Sequence, residues 1–296
     1  MIDFESVFSF LRPKYSHIGV VSPAGLPDEN KVRESIRLLR QCGFQVTVGD
    51  YVLEKSEEGY CCGTIAHRAA DFNRMIHDES VDLIYCTRGG YGSAQILPLL
   101  DFDTLREKNL PVLGYSDISA IHLAMLSQKA GIPVAAPMLA SLKNTLERED
   151  CATFYARGWD GPYQWNLNVV SPDSASAHAC SGNLIVSNLS ILASLCGSPW
   201  LPDFHHAVLL LEDINEKIRV LDRHLTQLML SGILPRVQCV VFGYLTECGD
   251  SDAQIALMKK FADLSGKDFF YGLPFGHEQP CLTLKNGASV MLNSLG

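Results

Sequence analysis

Short apolar runs alternate with amphipathic stretches along the first half of the chain. The run "HIGVVSPAG" (17–25) predicts a strand entering a turn, after which Val32, Ile36 and Leu39 recur at helical spacing until Gly43 stops them. "FQVTVGD" (44–50) predicts a second strand and residues 64–78 a second helix. Further buried strands follow at "VDLIYC" (81–86), "LPVLG" (110–114) and "GIPVAAP" (131–137), with helical stretches between them. Nearly continuous apolar strands separated by helices imply an α/β fold, a parallel sheet covered on both faces.

That rhythm lapses after about residue 145, and "GWDGPYQWNLNVVSPDSASAHACSGN" (158–183) reads as a linker and the entry to a second domain. The expected division is an N-terminal α/β domain over 1–150, a linker over 151–178 and a C-terminal domain over 179–296, with the Ser/Ala-rich residues 174–179 as an exposed loop. The second domain offers a helix at "LIVSNLSILASLCG" (184–197), a strand at "HAVLLLED" (206–213), and a long amphipathic helix marked by Ile214, Ile218, Leu221, Leu225 and Leu228. "QCVVFGYL" (238–245) is another buried strand, and "LTLKNGASVML" (282–292) reads as two strands around an Asn-Gly turn.

Composition narrows the classes of function. With 296 residues, 47% of them hydrophobic and 19% charged, the chain has the makings of a well-buried core. Its net charge of −9 argues against nucleic acid or an anionic membrane surface as partner. No apolar run is long enough to span a bilayer, and "MIDFESVFSFLRPKYSHIG" lacks a basic leader and a cleavage site, so a cytoplasmic location is expected. Ten cysteines include no C-x-x-C pair, and Cys61 and Cys62 are adjacent. Cys42, Cys86, Cys196 and Cys239 stand in apolar or helix-end contexts, so reduced thiols behaving as small hydrophobes are expected. Nine histidines show no H-E-x-x-H spacing, and neither a metal nor a cofactor is expected.

Three stretches put a reactive side chain at the end of a predicted strand, where ligands bind in open α/β sheets. "VLGYSDISAIH" (112–122) passes from strand to helix through Ser116. A serine there serves as an N-cap or, with a base to take its proton, as a nucleophile. Gly114 supplies the first glycine of a G-x-S-x-G elbow, but Ile118 replaces the second. In "AVLLLEDINEKIRVLDRHL" (207–225), Glu212 and Asp213 would complement the dipole of the following helix. Glu212 also continues directly from a buried run, and a shielded carboxylate can orient a histidine. His277 lies in the stiff loop of "FFYGLPFGHEQP" (269–280); His122 should point away from the turn, and His205 and His206 have no obvious acid partner. In "CTRGGYGS" (86–93), Gly89 and Gly90 can turn their N–H groups into an anion-binding concavity, without the spacing of a nucleotide-binding loop.

Taken together, "RGGYGS", "GYSDISAIH", "SGNLIVSNLSILASLCGSPW", "LLLEDINEKIRVLDRHLTQL", "GILPR" and "GLPFGHEQPCLTLKNGA" resemble the LD-carboxypeptidases, the muramoyl-tetrapeptide carboxypeptidases of peptidoglycan recycling. The resemblance runs from "VVSPAG" to "LTLKNGASVMLN". It implies a flavodoxin- or amidotransferase-like parallel sheet followed by a smaller β-rich domain, commonly in a homodimer. It implies a serine peptidase with Ser116 as nucleophile, Glu212 as the acid that orients the base, and His277 as general base and then acid. The oxyanion donors would be the amides of Asp117 and Gly90. Arg88, Gly89 and Arg219 are candidates for binding the substrate, a muropeptide tetrapeptide whose terminal D-alanine is released. Against that family the chain ends soon after "SVMLNSLG", where a further short strand is expected, with no triad position lost.

Two other readings stand beside this one. A microcin-immunity-type peptidase would use the same triad on peptide-nucleotide antibiotics, but no counterpart of its nucleobase-stacking residues stands between "GWDG" and "SGN". A non-catalytic small-metabolite binding protein would keep Ser116 only as a helix cap.

Overall fold

The computed structural model of the chain describes residues 3–172 and 178–295. Strands β1 (His17–Val21), β2 (Gln45–Val48), β3 (Leu83–Cys86), β4 (Pro111–Gly114) and β5 (Ile132–Ala135) lie in the order β2-β1-β3-β4-β5, all parallel. This is the flavodoxin-type order of a doubly wound sheet, whose strand ends hold ligands. The period of two along each strand sends side chains to opposite layers. Ile18, Val20, Leu83, Tyr85 and Leu113 pack with Val32, Ile36 and Leu39 of the helix Glu29–Gln41. Val21, Ile84, Cys86 and Val112 pack with the helices Ile65–His77 and Ser119–Gln128 on the other side.

The remaining strands are β6 (Tyr163–Val170), β7 (Ala179–Asn188), β8 (Ala207–Ile214), β9 (Cys239–Thr246), β10 (Phe269–Tyr271), β11 (Leu284–Lys285) and β12 (Ser289–Ser294). Six of them close into a barrel, β10-β6-β12-β7-β8-β9. Leu184, Val186, Val208, Leu210, Val241 and Phe270 fill its interior. Their alternate neighbours Ile185, Leu209, Leu211, Val240, Phe242 and Phe269 face outward and join the layer that covers the parallel sheet. The two domains therefore share one apolar layer.

Several expectations are corrected by this architecture. The stretch 151–178, expected as a linker, contains most of the helix Glu149–Arg157 and all of β6, a stave of the barrel. Residues 174–177 of the expected Ser/Ala-rich loop lie outside the described residues, and Ala179 already belongs to β7. In "LIVSNLSILASLCG" only Leu189–Ser194 is helical; Leu184–Asn188 completes β7, where strand neighbours override helical spacing. Ile214 ends β8, and the amphipathic helix spans Ile218–Leu230. Cys180 and Cys239, expected as thiols, form a disulfide inside the barrel. No helix among the described residues is long and apolar enough to cross a membrane.

The most consequential correction concerns "LTLKNGASVML". Its two strands form no hairpin: β11 pairs antiparallel with β5 of the parallel sheet, whereas β12 pairs with β6 and β7 of the barrel. Asn286 occupies the crossing. Its backbone N–H donates to Pro133 O (2.9 Å) in one domain. Its side chain accepts from Val186 N–H (2.9 Å) and donates to Val186 O (3.1 Å) in the other, extending the ladder where β12 has left it. Asn286→Leu leaves both Val186 groups buried and unpaired, which should cost about 2–4 kcal/mol of unfolding free energy. The check is the urea midpoint, expected to fall at unchanged slope; a midpoint equal to that of the unmodified protein would leave the side-chain bridge without weight.

Candidate active site

Ser116 follows β4 after a single residue, Tyr115, and opens a short 3-10 turn, Ser116–Ile118, that leads into the helix Ser119–Gln128. Its φ is +59°, a left-handed conformation that a non-glycine residue adopts only when its surroundings hold it there. The turn projects the hydroxyl away from the sheet, towards His277 in the loop that joins β10 to β11. Ser116 Oγ lies 3.2 Å from His277 Nε2, and His277 Nδ1 lies 2.7 Å from Glu212 Oε2. Three side chains from three separate stretches thus form one hydrogen-bonded file.

Glu212 stands near the carboxyl end of β8, and neither it nor Asp213 is in the first turn of a helix. Its exposure is 1%, and that burial raises its carboxyl above the ordinary range, opposed by the bond and charge of His277. The other oxygen, Oε1, accepts from Asn188 Nδ2 at 3.2 Å. The same amide nitrogen reaches Asp213 Oδ1 (3.1 Å), while Ser190 N–H and Oγ–H donate to Asp213 Oδ2. Asn188 also donates its backbone N–H to Ser119 Oγ, three residues beyond Ser116, at 3.1 Å. Asn188 and Ser119 were not among the sequence candidates. The signal for Asn188 was an N-cap ahead of "LSIL", obscured by reading that segment as helix throughout; Oδ1 does accept from Ile191 N–H as a cap.

The loop Arg88–Gly92 passes beside the serine. A Cβ on Gly89 would come within 3.1 Å of Ser116 Cβ, 3.2 Å of its Oγ and 3.3 Å of Asp117 N, so any larger residue there would crowd the serine by a few tenths of an ångström. Gly89 O accepts from Gly25 N–H at 2.9 Å. Asp117 N–H sits in the first turn of its 3-10 segment, where backbone donors have no acceptor within the helix. Gly89, Gly90, Arg88, Tyr115, Ser116 and His277 line a cavity of about 490 Å3, with Asp28 and Lys31 among its further walls. Arg88 is exposed and donates from Nη1 to Leu26 O at 3.0 Å. Arg219 is not brought to this place: it is exposed at the start of the helix Ile218–Leu230 and does not line the cavity. Among the described residues no group of three or more His, Cys, Asp or Glu side chains could hold a metal ion.

An imidazole between a hydroxyl and a buried carboxylate can take the hydroxyl proton while the acid holds it in the right tautomer. Such a file, at the strand ends of a doubly wound sheet, is the equipment of a serine hydrolase. The family model for the LD-carboxypeptidase N-terminal domain matches residues 18–136, and that for the LD-carboxypeptidase C-terminal domain matches residues 181–292. The chain belongs to the LD-carboxypeptidase family and is a peptidase. It is 26% identical to a probable murein peptide carboxypeptidase of Bacillus subtilis, over 94% of this chain and 88% of that protein. It is 25% identical to the Microcin C7 self-immunity protein of Escherichia coli, over 92% and 88%. The crystal structure of muramoyltetrapeptide carboxypeptidase from Oxalobacter formigenes superposes with a TM-score of 0.78 at 26% identity, covering 95% of this chain and 96% of that one.

His122, the other histidine near the serine, faces away from it. Its Nε2–H donates to Val112 O (3.0 Å), and complete burial pushes its pKa down to about 4 from 6.5. Because the folded value is the lower one, unfolded chains bind the extra proton between those values, and stability falls as pH falls through that window. The full effect is about 3 kcal/mol, most of it present by pH 4.5. Glu212 and Asp117, raised by burial, act in the opposite sense in any variant that keeps them. The difference between the unmodified protein and His122→Gln isolates the imidazole. Urea unfolding at pH 7 and pH 4.5 should show the unmodified protein losing more stability than the variant; equal losses would mean that His122 is not buried neutral.

Proposed function

We propose that this chain is a serine-type carboxypeptidase that cleaves the L,D peptide bond releasing terminal D-alanine from a muropeptide tetrapeptide, L-Ala-γ-D-Glu-diaminopimelate-D-Ala. The observation that carries the reading is the unbroken file from Ser116 Oγ through His277 to the buried Glu212, in a chain of this family. His277 Nδ1–H donates to Glu212, which leaves Nε2 free to accept the Ser116 proton as Oγ attacks the carbonyl of the diaminopimelate L-centre. The resulting oxyanion is held by the N–H groups of Asp117 and Gly90. The imidazolium, stabilised by the Glu212 charge, then gives its proton to the departing D-alanine nitrogen. Water attacks the acyl ester, His277 takes its proton, and Ser116 recovers a proton as the ester breaks.

A carboxypeptidase must also recognise a free carboxylate. Arg88 lines the cavity where Arg219 does not, and a guanidinium can pair with a carboxylate through two parallel bonds. The relation to a microcin self-immunity protein supplies the competing substrate class, a peptide joined to a nucleotide.

Digestion of the tetrapeptide by pure protein, followed by mass spectrometry, should show loss of one alanine residue. Ser116→Ala, His277→Ala and Glu212→Ala should each lower kcat by about 10⁴-fold or more. Full activity of Ser116→Ala would remove the mechanism. An intact tetrapeptide, with cleavage of an aminoacyl sulfamoyl adenylate instead, would transfer the chain to the second substrate class.

A further inference from the structure

The oxyanion reading rests on two backbone donors from different segments, Asp117 after β4 and Gly90 after β3, and neither segment is held to the other by sheet pairing at that point. What joins them is a pair of side chains. Ser93 N–H donates to the Asp117 carboxylate (Oδ2, 2.9 Å), and Ser93 Oγ–H also donates, to the backbone Asp117 O at 2.5 Å. Ser93 has no exposure and Asp117 has 3%, so water does not compete for these bonds.

Beneath the loop lies a second support. Arg68, 3% exposed, donates through Nη1 to Gly63 O (2.9 Å) and through Nη2 to Gln95 Oε1 (2.6 Å). Cys61 Sγ–H donates to Tyr91 O at 3.4 Å. Gly92, at φ +120°, lies so close to both that a Cβ there would come within 3.0 Å of Cys61 Sγ and 3.2 Å of Arg68 Nη2. The loop is thus pressed between this floor and the serine turn, with room at Gly89 for little more than a hydrogen beside Ser116.

We propose that the Asp117 carboxylate and Ser93 form a clasp that sets the spacing of the two oxyanion donors and holds Ser116 in its left-handed conformation. Both side chains are positioning residues; the Asp117 backbone N–H, which meets the oxyanion, is a separate group. The proposal rests on the serine-peptidase reading of the site. A donor displaced by about 1 Å costs up to about 10²-fold in rate, and a lost oxyanion donor about 10²–10³-fold.

Ser93→Ala is the direct test. The expected result is a fall in kcat on the tetrapeptide of about 10–100-fold with KM within about threefold, matched by an equal loss of affinity for a peptide aldehyde that forms a tetrahedral adduct with Ser116. Asp117→Asn keeps an acceptor for Ser93 N–H and should recover most of the activity that Asp117→Ala loses. The rate at which a fluorophosphonate labels Ser116 needs no peptide substrate and should fall in parallel. A chain that cleaves no tetrapeptide but labels more slowly as Ser93→Ala fails the substrate reading and keeps the clasp. Unchanged labelling, unchanged kcat, or a loss confined to KM in folded Ser93→Ala would overturn the clasp.

Discussion

A carboxylate buried to the degree of Glu212 must be matched by partners, because an unpaired charge in such surroundings costs several kcal/mol. The matching is divided between His277, which approaches one oxygen, and Asn188, which approaches the other. Neither partner belongs to β8. Asn188 ends β7 and caps the next helix, whereas His277 lies in the loop that leaves the barrel for the parallel sheet. Seating the carboxylate therefore requires the register of β7 against β8, Asn188 opposite Glu212, to be correct. It also requires the long return loop to be closed. The site is a consequence of a finished fold rather than of a local motif.

The same requirement explains why the last part of the chain crosses between domains. Ser116 stands on the sheet and Glu212 on the barrel, so relative slippage of about an ångström would break the file at His277. β11 removes that freedom by adding an edge to the parallel sheet immediately after the histidine loop, and β12 then returns to the barrel. Tyr163 reinforces the crossing: its hydroxyl accepts from Lys285 N–H at 2.7 Å and donates to Gly158 O at 2.6 Å. The shared apolar layer around Leu209, Leu211 and Ile121 resists separation, and the crossing strand resists sliding.

Much of the N-terminal domain was legible because its strands are covered on both faces and read as apolar runs ended by glycine or proline. Ser116, Glu212 and His277 were legible as candidates for a related reason, each standing at the end of such a run or inside a rigid loop. What escaped depends on contacts between distant segments. "LIVSN" is as compatible with a helix as with a strand until β8 pairs with one side of it and the 286–288 crossing bonds the other. The Asn-Gly pair at 286–287 carries a hairpin signature, but the strands on its two sides find different sheets. Cys180 and Cys239 are separated by 59 residues and meet only across the barrel. Arg219, a candidate for binding the substrate that the sequence alone did not place, stands exposed near the start of its helix and does not line the cavity beside Ser116.

The missing second glycine of the serine turn also has a physical account. Ile118 is fully buried, and a Cβ on Gly114 would meet its Cγ1 and Cγ2 at 3.0 Å. The glycine before the serine thus makes room for the isoleucine after it, and the side chain seals the turn against the core. A second glycine at that position would leave the turn without this anchor. Here the backbone strain at Ser116 is contained by an apolar plug on one side and the buried Asp117 carboxylate on the other. A turn held in that way does not need the freedom that a glycine pair confers, and it keeps the hydroxyl in place before any substrate arrives.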